Sequence, residues 1–262
     1  MGFSATWLQL REPADRLSRD AGLLLAAAEA AGPRPIVADL GCGTGATMRA
    51  MAPDLPSDAQ WRLIDRDPDL LARIAPAGEV TRHDADLAEL DRLPLAGATL
   101  VTASALLDLM PPDWVAELAR HLAPRPFYAA LTYDGTMEWQ PPLAADTVVT
   151  LAFNAHQRGD KGLGPAMGPE AATRAIRIFE AAGYEVLVAP SPWHLGPREG
   201  DLQRALLEGI AAAAREAGCD AAGEWLAARV SAIPEARCRI GHVDLLALPR
   251  GPNKNGGEAW SR

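Results

Sequence analysis

The fold is decided by the stretch Pro35-Ile36-Val37-Ala38-Asp39-Leu40-Gly41-Cys42-Gly43-Thr44-Gly45, which leads into residues 46–51. Its first half, residues 35–40, is a short apolar run, and this predicts a strand buried on both faces of a sheet. The glycines that follow permit a sharp turn and let a ligand approach the backbone closely. Residues 46–51 have a helical pattern, and amides at a helix N-terminus bind electronegative ligand atoms. The stretch therefore predicts a strand–loop–helix unit that binds a ligand at its loop.

Strands and helices alternate on both sides of this unit. Further strands are predicted at residues 61–65, 79–83, 98–103, 126–132, 184–189 and 237–248. Helices are predicted at residues 12–31, 68–74, 113–122, 169–182, 201–217 and 221–231. Strands separated by helices of about ten residues are typical of βαβ units and a parallel sheet. The pattern predicts an α/β fold, a seven-stranded, mostly parallel Rossmann-like sheet with helices on both faces and an antiparallel last strand.

One domain is predicted over residues 1–250, followed by a polar, disordered tail at residues 251–262. The alternation stops after the fifth strand, where residues 134–168 contain a possible helix at 144–156 and a glycine-rich loop at 158–168. A long insert with many hydrogen-bonding groups is often functional. We expect it to form a small cap above the carboxyl ends of the strands, where ligands bind in open α/β sheets.

Charge and composition restrict the classes of partner. The net charge is −9, and lysine occurs only at Lys161 and Lys254. Nucleic-acid binding usually needs a basic face, so a small-molecule partner is favoured and no nucleic acid is expected. The start of the chain does not resemble a signal peptide, and the longest apolar run, residues 23–28, is far too short to span a bilayer. The sequence predicts a cytoplasmic protein with no membrane partner.

Two acids flank the glycine loop. Asp39 lies within a strand end that should be apolar, and a buried carboxylate is costly unless it is paired or hydrogen-bonded. The ammonium of an amino-acid ligand would pair with it, whereas a dinucleotide pyrophosphate would be repelled; hydrogen bonds to the loop amides are the simpler alternative. Asp65 ends the next strand, twenty residues beyond Gly45, where an acid accepts hydrogen bonds from ribose hydroxyls.

These motifs resemble those of class I methyltransferases that use S-adenosylmethionine. Residues 37–45 are similar to motif I, residues 63–65 to the second-strand acidic motif, and residues 84–87 to the region that contacts adenine. Residues 101–107 are similar to the segment that lines the cofactor pocket. The resemblance implies S-adenosylmethionine as cofactor and S-adenosylhomocysteine as product. The cofactor-binding candidates are Arg11, Asp39, Gly41, Cys42, Gly43, Gly45, Asp65, Arg66, Asp84, Asp86, Leu87 and Ser104, and either Asp84 or Asp86 faces the adenine amine.

The methyl acceptor is predicted to be a small molecule that binds beneath the cap and accepts at an oxygen, nitrogen or sulfur atom. His156 is the first candidate for the acid or base, because imidazole titrates near neutral pH. Tyr133 and Asp134, at the end of the fifth strand, are the other catalytic candidates, and no metal site is predicted. Two alternatives remain. Gly41-x-Gly43-x-x-Ala46 also fits an NAD-dependent oxidoreductase, and a non-catalytic nucleoside-binding protein could retain the same fold.

Overall fold

The computed structural model describes residues 4–75 and 78–250, and one mixed sheet runs through them. Its strands are β1 (Ile36–Leu40), β2 (Gln60–Asp65), β3 (Glu79–Asp84), β4 (Leu100–Ser104), β5 (Phe127–Gln140), β6 (Tyr184–Pro190), β7 (Trp193–Leu195) and β8 (Arg237–Pro249). The helices are α1 (Ala5–Ser18), α2 (Ala21–Ala30), α3 (Ala46–Met51), α4 (Pro68–Ala72), α5 (Pro112–Leu122), α6 (Asp146–Gln157), α7 (Ala171–Ala181), α8 (Gly200–Glu216) and α9 (Ala222–Ala232). The tail predicted at residues 251–262 lies outside the described residues.

The strand order is β3-β2-β1-β4-β5-β8-β6, with the short β7 paired to β8. Strands β1 to β5 pair in parallel, and β8 runs antiparallel to both β5 and β6. The predicted α/β class and the antiparallel last strand are therefore confirmed. The seven-strand count omitted β7, because three residues are too few for an alternating pattern to be recognised.

Helices cover both faces of the sheet. On one face α5 and α7 pack against the strands through buried side chains such as Leu118 and Phe179. On the other face α2 and α3 contribute buried residues that include Ala27 and Met51. Strand β1 lies between these two helix layers and is buried on both faces. This explains why residues 36–40 form a continuous apolar run in the sequence. Among the described residues, no helix is both long and apolar enough to cross a bilayer.

The single helix predicted at residues 12–31 is two helices, α1 and α2, so this boundary was wrong. The side chain of Asp20 accepts a hydrogen bond from the amide of Leu23 (2.8 Å) and so caps the start of α2. The backbone amide of Asp20 donates to Asp244 on β8 (3.0 Å), a fully buried carboxylate. The chain turns at residues 19–20 because this contact with the sheet replaces helical hydrogen bonds.

A second layer of structure lies beyond the carboxyl end of the sheet. Strand β5 was predicted to end at residue 132, but it continues to Gln140 and stays paired with β8 well past the last pairing to β4. The insert at residues 134–168 therefore begins as strand and continues into α6. We call the assembly of this β5 extension, α6, β7, α8 and α9 the cap. Its core is a third buried cluster that also includes Ala14 of α1.

The helices predicted at residues 201–217 and 221–231 are present as α8 and α9, but they do not continue the alternation along the sheet. They pack against α6 inside the cap, around buried residues such as Leu207, Ile210 and Trp225. The apolar face of a helix can pack against either a sheet or another helix. The position of α8 and α9 therefore depends on the α6 surface that the insert supplies.

One buried ion pair joins the cap elements. Arg229 of α9 is 1% exposed and pairs with Asp146 at the start of α6. Its Nη1 donates to the carbonyl of Pro141 (2.8 Å), and its guanidinium lies 5.1 Å from the ring centre of Trp139. Trp225 donates its indole N–H to the same Asp146 carboxylate (2.8 Å). These contacts fix α9 against both ends of the β5–α6 connection.

We expect Arg229→Met to destabilise the protein by about 3 kcal/mol, because loss of one partner leaves a partly buried charge unpaired. The free energy of unfolding from denaturant titration measures this loss. Arg239→Met is the control, since Arg239 pairs with Glu138 at a site where the two side chains are 31% and 63% exposed. Its loss should stay below about 1 kcal/mol. Equal losses in the two variants would contradict the stabilising role of the buried pair.

Candidate active site

The glycine loop joins β1 to α3 through left-handed backbone. Gly41 and Gly43 have φ angles of 63° and 53°, a region that residues with a Cβ rarely adopt. A Cβ on Gly43 would also lie 2.9 Å from Cδ1 of Leu8 on α1, and one on Gly41 would lie 3.3 Å from Leu106. The loop is the turn that the sequence predicted. Helix α1 and the segment after β4 both lie directly against it.

Asp39 lies inside the sheet, next to this loop, and is fully buried. It is in register with Thr102 on β4, whose hydroxyl donates to Oδ1 (2.8 Å). The other oxygen, Oδ2, has no hydrogen-bond partner in the part of the chain that the structure describes. Burial raises the pKa of Asp39 to about 7, although Thr102 and the nearby Arg19 cation oppose that rise. The carboxylate therefore has one oxygen available to a ligand.

Arg19, at the junction of α1 and α2, provides a buried cation close to Asp39. It is 7% exposed, and its Nη2 donates to Ser104 (2.9 Å) and Thr47 (3.4 Å). Its Nε and Nη1 have no partner among residues 4–75 and 78–250. Ser104, a predicted cofactor residue, thus helps to hold Arg19. Sequence reasoning missed Arg19 because it falls within the single helix predicted at residues 12–31, where no break was expected.

Asp65 ends β2 beside the loop, as predicted. Its Oδ2 accepts from the amide of Gly43 (2.8 Å), and its Oδ1 accepts from the amide of Asp67 (3.0 Å). The amide of Cys42 donates to the carbonyl of Ile64 (3.1 Å), so β2 also fixes the loop through its backbone. Each carboxylate oxygen keeps a further lone pair that can accept from a ligand hydroxyl.

The adenine-side candidates lie at the ends of the neighbouring strands. Asp84 is in register with Asp65 at the end of β3 and is exposed. Asp86 uses Oδ1 to accept from the amide of Ala88 (2.9 Å), which closes a local turn. Leu87 is partly buried, and its side chain lies 3.9 Å from the Cβ position of Gly41. Gly45 precedes α3 and Arg66 directly follows Asp65.

Arg11 lies on α1, on the side of this helix that contacts the cap. Its guanidinium forms two hydrogen bonds to Asp15 (2.8 and 3.2 Å). Its Cζ lies 5.8 Å from the ring centre of Trp7 and 5.0 Å from that of Trp193. The indole N–H of Trp193 donates to Asp15 as well (2.9 Å). This network places Arg11 close enough to the β8 residue His242 for the Arg11 charge to act on that imidazole.

The three catalytic candidates occupy different places. Tyr133 is buried and donates its hydroxyl to Asn154 of α6 (2.8 Å), and burial raises the pKa of that hydroxyl. Asp134 follows it in β5 and accepts from the amide of Thr136 (2.8 Å). His156 is nearer the surface, where Nε2 contacts Glu216 (2.9 Å) and Nδ1 contacts Lys161 (3.3 Å).

A further candidate for catalysis, the acid Asp108, was missed by sequence reasoning. It lies in a short 3-10 turn, Leu107–Leu109, just after the segment whose Leu106 covers the glycine loop. Its Oδ1 is buried with no partner among the described residues, and burial raises its pKa to about 6. The signal was present in the sequence, because Asp108 interrupts an apolar run just as Asp39 does.

Comparison with known proteins agrees with this geometry. Residues 37–125 match a family model described as a methyltransferase domain. A cyclopropane-fatty-acyl-phospholipid synthase-like protein from Lactobacillus casei shares 17% identity at a TM-score of 0.58, over 95% of each chain. A proposed type II methyltransferase from Anaeromyxobacter dehalogenans shares 21% identity at a TM-score of 0.54, over 88% of this chain and 98% of the other. The cyclopropane synthase of Mycobacterium tuberculosis shares 13% identity at a TM-score of 0.51, over 94% of each chain. No curated protein matches the chain.

Residues 37–125 are therefore similar to a methyltransferase domain, and the chain shares its fold with these solved structures. The matched residues include β1, the glycine loop, Asp39, Asp65, Asp84 and the segment that carries Asp108. The cap elements come after residue 125 and therefore lie outside the family match. The described residues contain no group of three or more His, Cys, Asp or Glu side chains arranged to hold a metal ion.

The buried Asp39 predicts a dependence of stability on pH. Its pKa is about 7 in the folded protein against 3.8 for the ordinary carboxyl, so the folded state binds the proton more tightly. Its contribution to stability therefore falls as pH rises from about 4 to about 7. Asp39→Asn removes this penalty, and at pH 8 the variant should be more stable than the wild type by about 2 kcal/mol.

Thermal and denaturant unfolding at pH 5 and pH 8 measure the difference between the two proteins. Asp58→Asn, at an exposed position, is the control and should follow the wild type at both pH values. An Asp39→Asn variant that is less stable than the wild type at pH 8 would show that Asp39 is already paired in the free protein.

Proposed function

We propose that the protein transfers the methyl group of S-adenosylmethionine to a small molecule bound between the cap and the carboxyl end of the sheet. The observation that carries this proposal is a pair of orphaned charges beside the glycine loop. Oδ2 of Asp39 and both Nε and Nη1 of Arg19 are buried, and none has a partner among the described residues. Unpaired buried charges are costly, so a binding partner for both is expected.

The amino-acid end of S-adenosylmethionine matches this pair in charge and in chemistry. Its ammonium group can donate to Asp39, and its carboxylate can accept from Arg19, so both orphaned groups gain a charge-assisted hydrogen bond. The pyrophosphate of NAD would instead bring negative charge towards Asp39. The same charges that fit S-adenosylmethionine therefore disfavour the dinucleotide.

The adenosine end fits the strand ends next to the loop. The lone pairs that Asp65 keeps can accept from the two ribose hydroxyls. Leu87 and Leu106 supply apolar surface beside Gly41. Asp86 already closes a turn with Ala88, so we assign the adenine amine to Asp84.

The acceptor side is enclosed by α1, β5 and the cap. Trp7, Trp193 and Tyr133 contribute ring surfaces there, and Trp193 and Tyr133 are 2% and 7% exposed. A small-molecule acceptor is favoured because the net charge of −9 disfavours nucleic acid.

When bound, the sulfonium group supplies a methyl carbon that is open to in-line displacement. The residues of the chain contribute alignment and the exclusion of water. Asp39, Arg19 and Asp65 fix the two ends of the cofactor, and Leu8 of α1 lies over the glycine loop. Because α1 also belongs to the core of the cap, cofactor and acceptor are held by one continuous set of contacts.

Arg19→Met tests the assignment of the amino-acid end. The variant loses a charged hydrogen bond to the cofactor carboxylate, so its dissociation constant for S-adenosylhomocysteine should rise about tenfold or more. Titration calorimetry measures this constant, and NAD should produce no binding heat with either protein. Arg16→Met, an exposed change on the same helix, should leave the affinity as it is. Tight NAD binding together with no response to S-adenosylhomocysteine would reverse the proposal.

A further inference from the structure

Asp108 is a half-buried acid with a buried Oδ1 atom, and cofactor binding leaves it unexplained. It follows Leu106, which lies against the glycine loop, and its turn packs against β5. The backbone amide of Tyr133 lies where β5 leaves the sheet for the cap, and it donates a hydrogen bond to the Asp108 carboxyl group. Asp108 therefore lies between the cofactor loop and the acceptor side, and its orphaned Oδ1 is available to a ligand.

The groups that affect the pKa of the Asp108 carboxyl come from three other elements. Arg11 of α1 and Lys161 of the loop after α6 act on it as cations, and Tyr133 of β5 contributes its amide. Arg11 forms an ion pair with Asp15. Burial lowers the pKa of Lys161, and the negative charge of Glu216 opposes this because it favours the protonated form. His242 of β8 is held neutral, because burial and the Arg11 cation lower its pKa to about 3. Because Asp15 and Glu216 already balance these cations, the negative charge of Asp108 is available to a ligand.

We propose that Asp108 is the catalytic residue that binds an amine acceptor and removes its proton, which makes the enzyme an N-methyltransferase. This inference rests on the proposed use of S-adenosylmethionine. A carboxylate with one unpartnered oxygen, which already accepts from the backbone amide of Tyr133, can also accept a charge-assisted hydrogen bond from an ammonium group.

The proposed step conserves atoms and charge. Asp108 takes a proton from the ammonium group, and the freed nitrogen lone pair forms the new N–C bond. The C–S bond breaks with its electron pair on sulfur, which yields the neutral thioether and an N-methylated ammonium ion that carries the positive charge of the former sulfonium. The proton on Asp108 then passes to solvent, so the carboxylate is restored for the next acceptor.

The other candidates for this role are engaged elsewhere. Both ring nitrogens of His156 have partners, Glu216 and Lys161, and the hydroxyl of Tyr133 donates to Asn154. Asp134 accepts from a backbone amide in its own strand. The pKa of Asp108, raised to about 6 by burial, lies closer to neutral pH than that of an ordinary carboxyl, which suits a general base.

Sinefungin tests this proposal without knowledge of the natural acceptor. This cofactor analogue carries an ammonium group where S-adenosylmethionine carries the transferable methyl, whereas S-adenosylhomocysteine is uncharged there. Both ligands have the same amino-acid and adenosine ends, so the ratio of their dissociation constants reports only the reaction centre. Titration calorimetry on the wild type should show that sinefungin binds about tenfold or more tightly.

Asp108→Asn should abolish that preference and leave the affinity for S-adenosylhomocysteine unchanged, which also shows that the variant is folded. Asp113→Asn, an exposed acid five residues further on, should keep the preference. In the wild type the preference should decline as pH falls through about 6, because protonation of Asp108 removes its charge.

The outcomes separate the two proposals. If the wild type binds neither ligand, the use of S-adenosylmethionine is wrong. If it binds both equally at pH 8, or if Asp108→Asn keeps the preference for sinefungin, Asp108 does not hold an ammonium group. If Asp108→Asn weakens both ligands by the same factor, Asp108 only supports the cofactor loop and the amine assignment fails.

Discussion

Asp39 holds one carboxylate oxygen against the Thr102 hydroxyl and leaves the other without a partner inside the sheet. Arg19 approaches from the junction of α1 and α2 with two of its own donors unsatisfied. Both charges are costly in this apolar setting, and they still lack hydrogen bonds that a zwitterionic ligand can supply. The free protein thus tolerates a loss of stability at the site where we place the cofactor, as is common for functional sites.

The position of Arg19 depends on contacts far from the glycine loop. Asp244 of β8 accepts hydrogen bonds from the amides of Asp20 and Leu131 and from the hydroxyl of Tyr128. These bonds fix the turn between α1 and α2 to the centre of the sheet, directly beside Arg19. Helix α1 then continues into the core of the cap, where the Asp15 carboxylate joins Arg11 to Trp193. Cofactor residues and acceptor-side residues are therefore parts of one packed unit.

The sheet and the cofactor loop were predictable because their signals are local. An apolar strand, three glycines and the acids Asp39 and Asp65 occur at fixed spacing, and the structure places both acids beside the loop. Arg19 was not predictable, because the break before α2 depends on Asp244, 224 residues away from Asp20 in the chain. The packing of α8 and α9 against α6 is likewise a long-range outcome. Asp108 could have been recognised by the reasoning used for Asp39, since both acids interrupt apolar runs, Asp39 within β1 and Asp108 in the turn after β4.

A crystal structure of the protein with S-adenosylhomocysteine tests the assignment of the cofactor site. The ammonium group of the ligand should donate to Oδ2 of Asp39, and its carboxylate should accept from Nε or Nη1 of Arg19. The ribose should lie at Asp65, with the sulfur atom directed towards Asp108. A ligand bound in the reverse direction, or bound with Asp39 and Arg19 still unpartnered, would contradict the central claim that these two charges form the cofactor site.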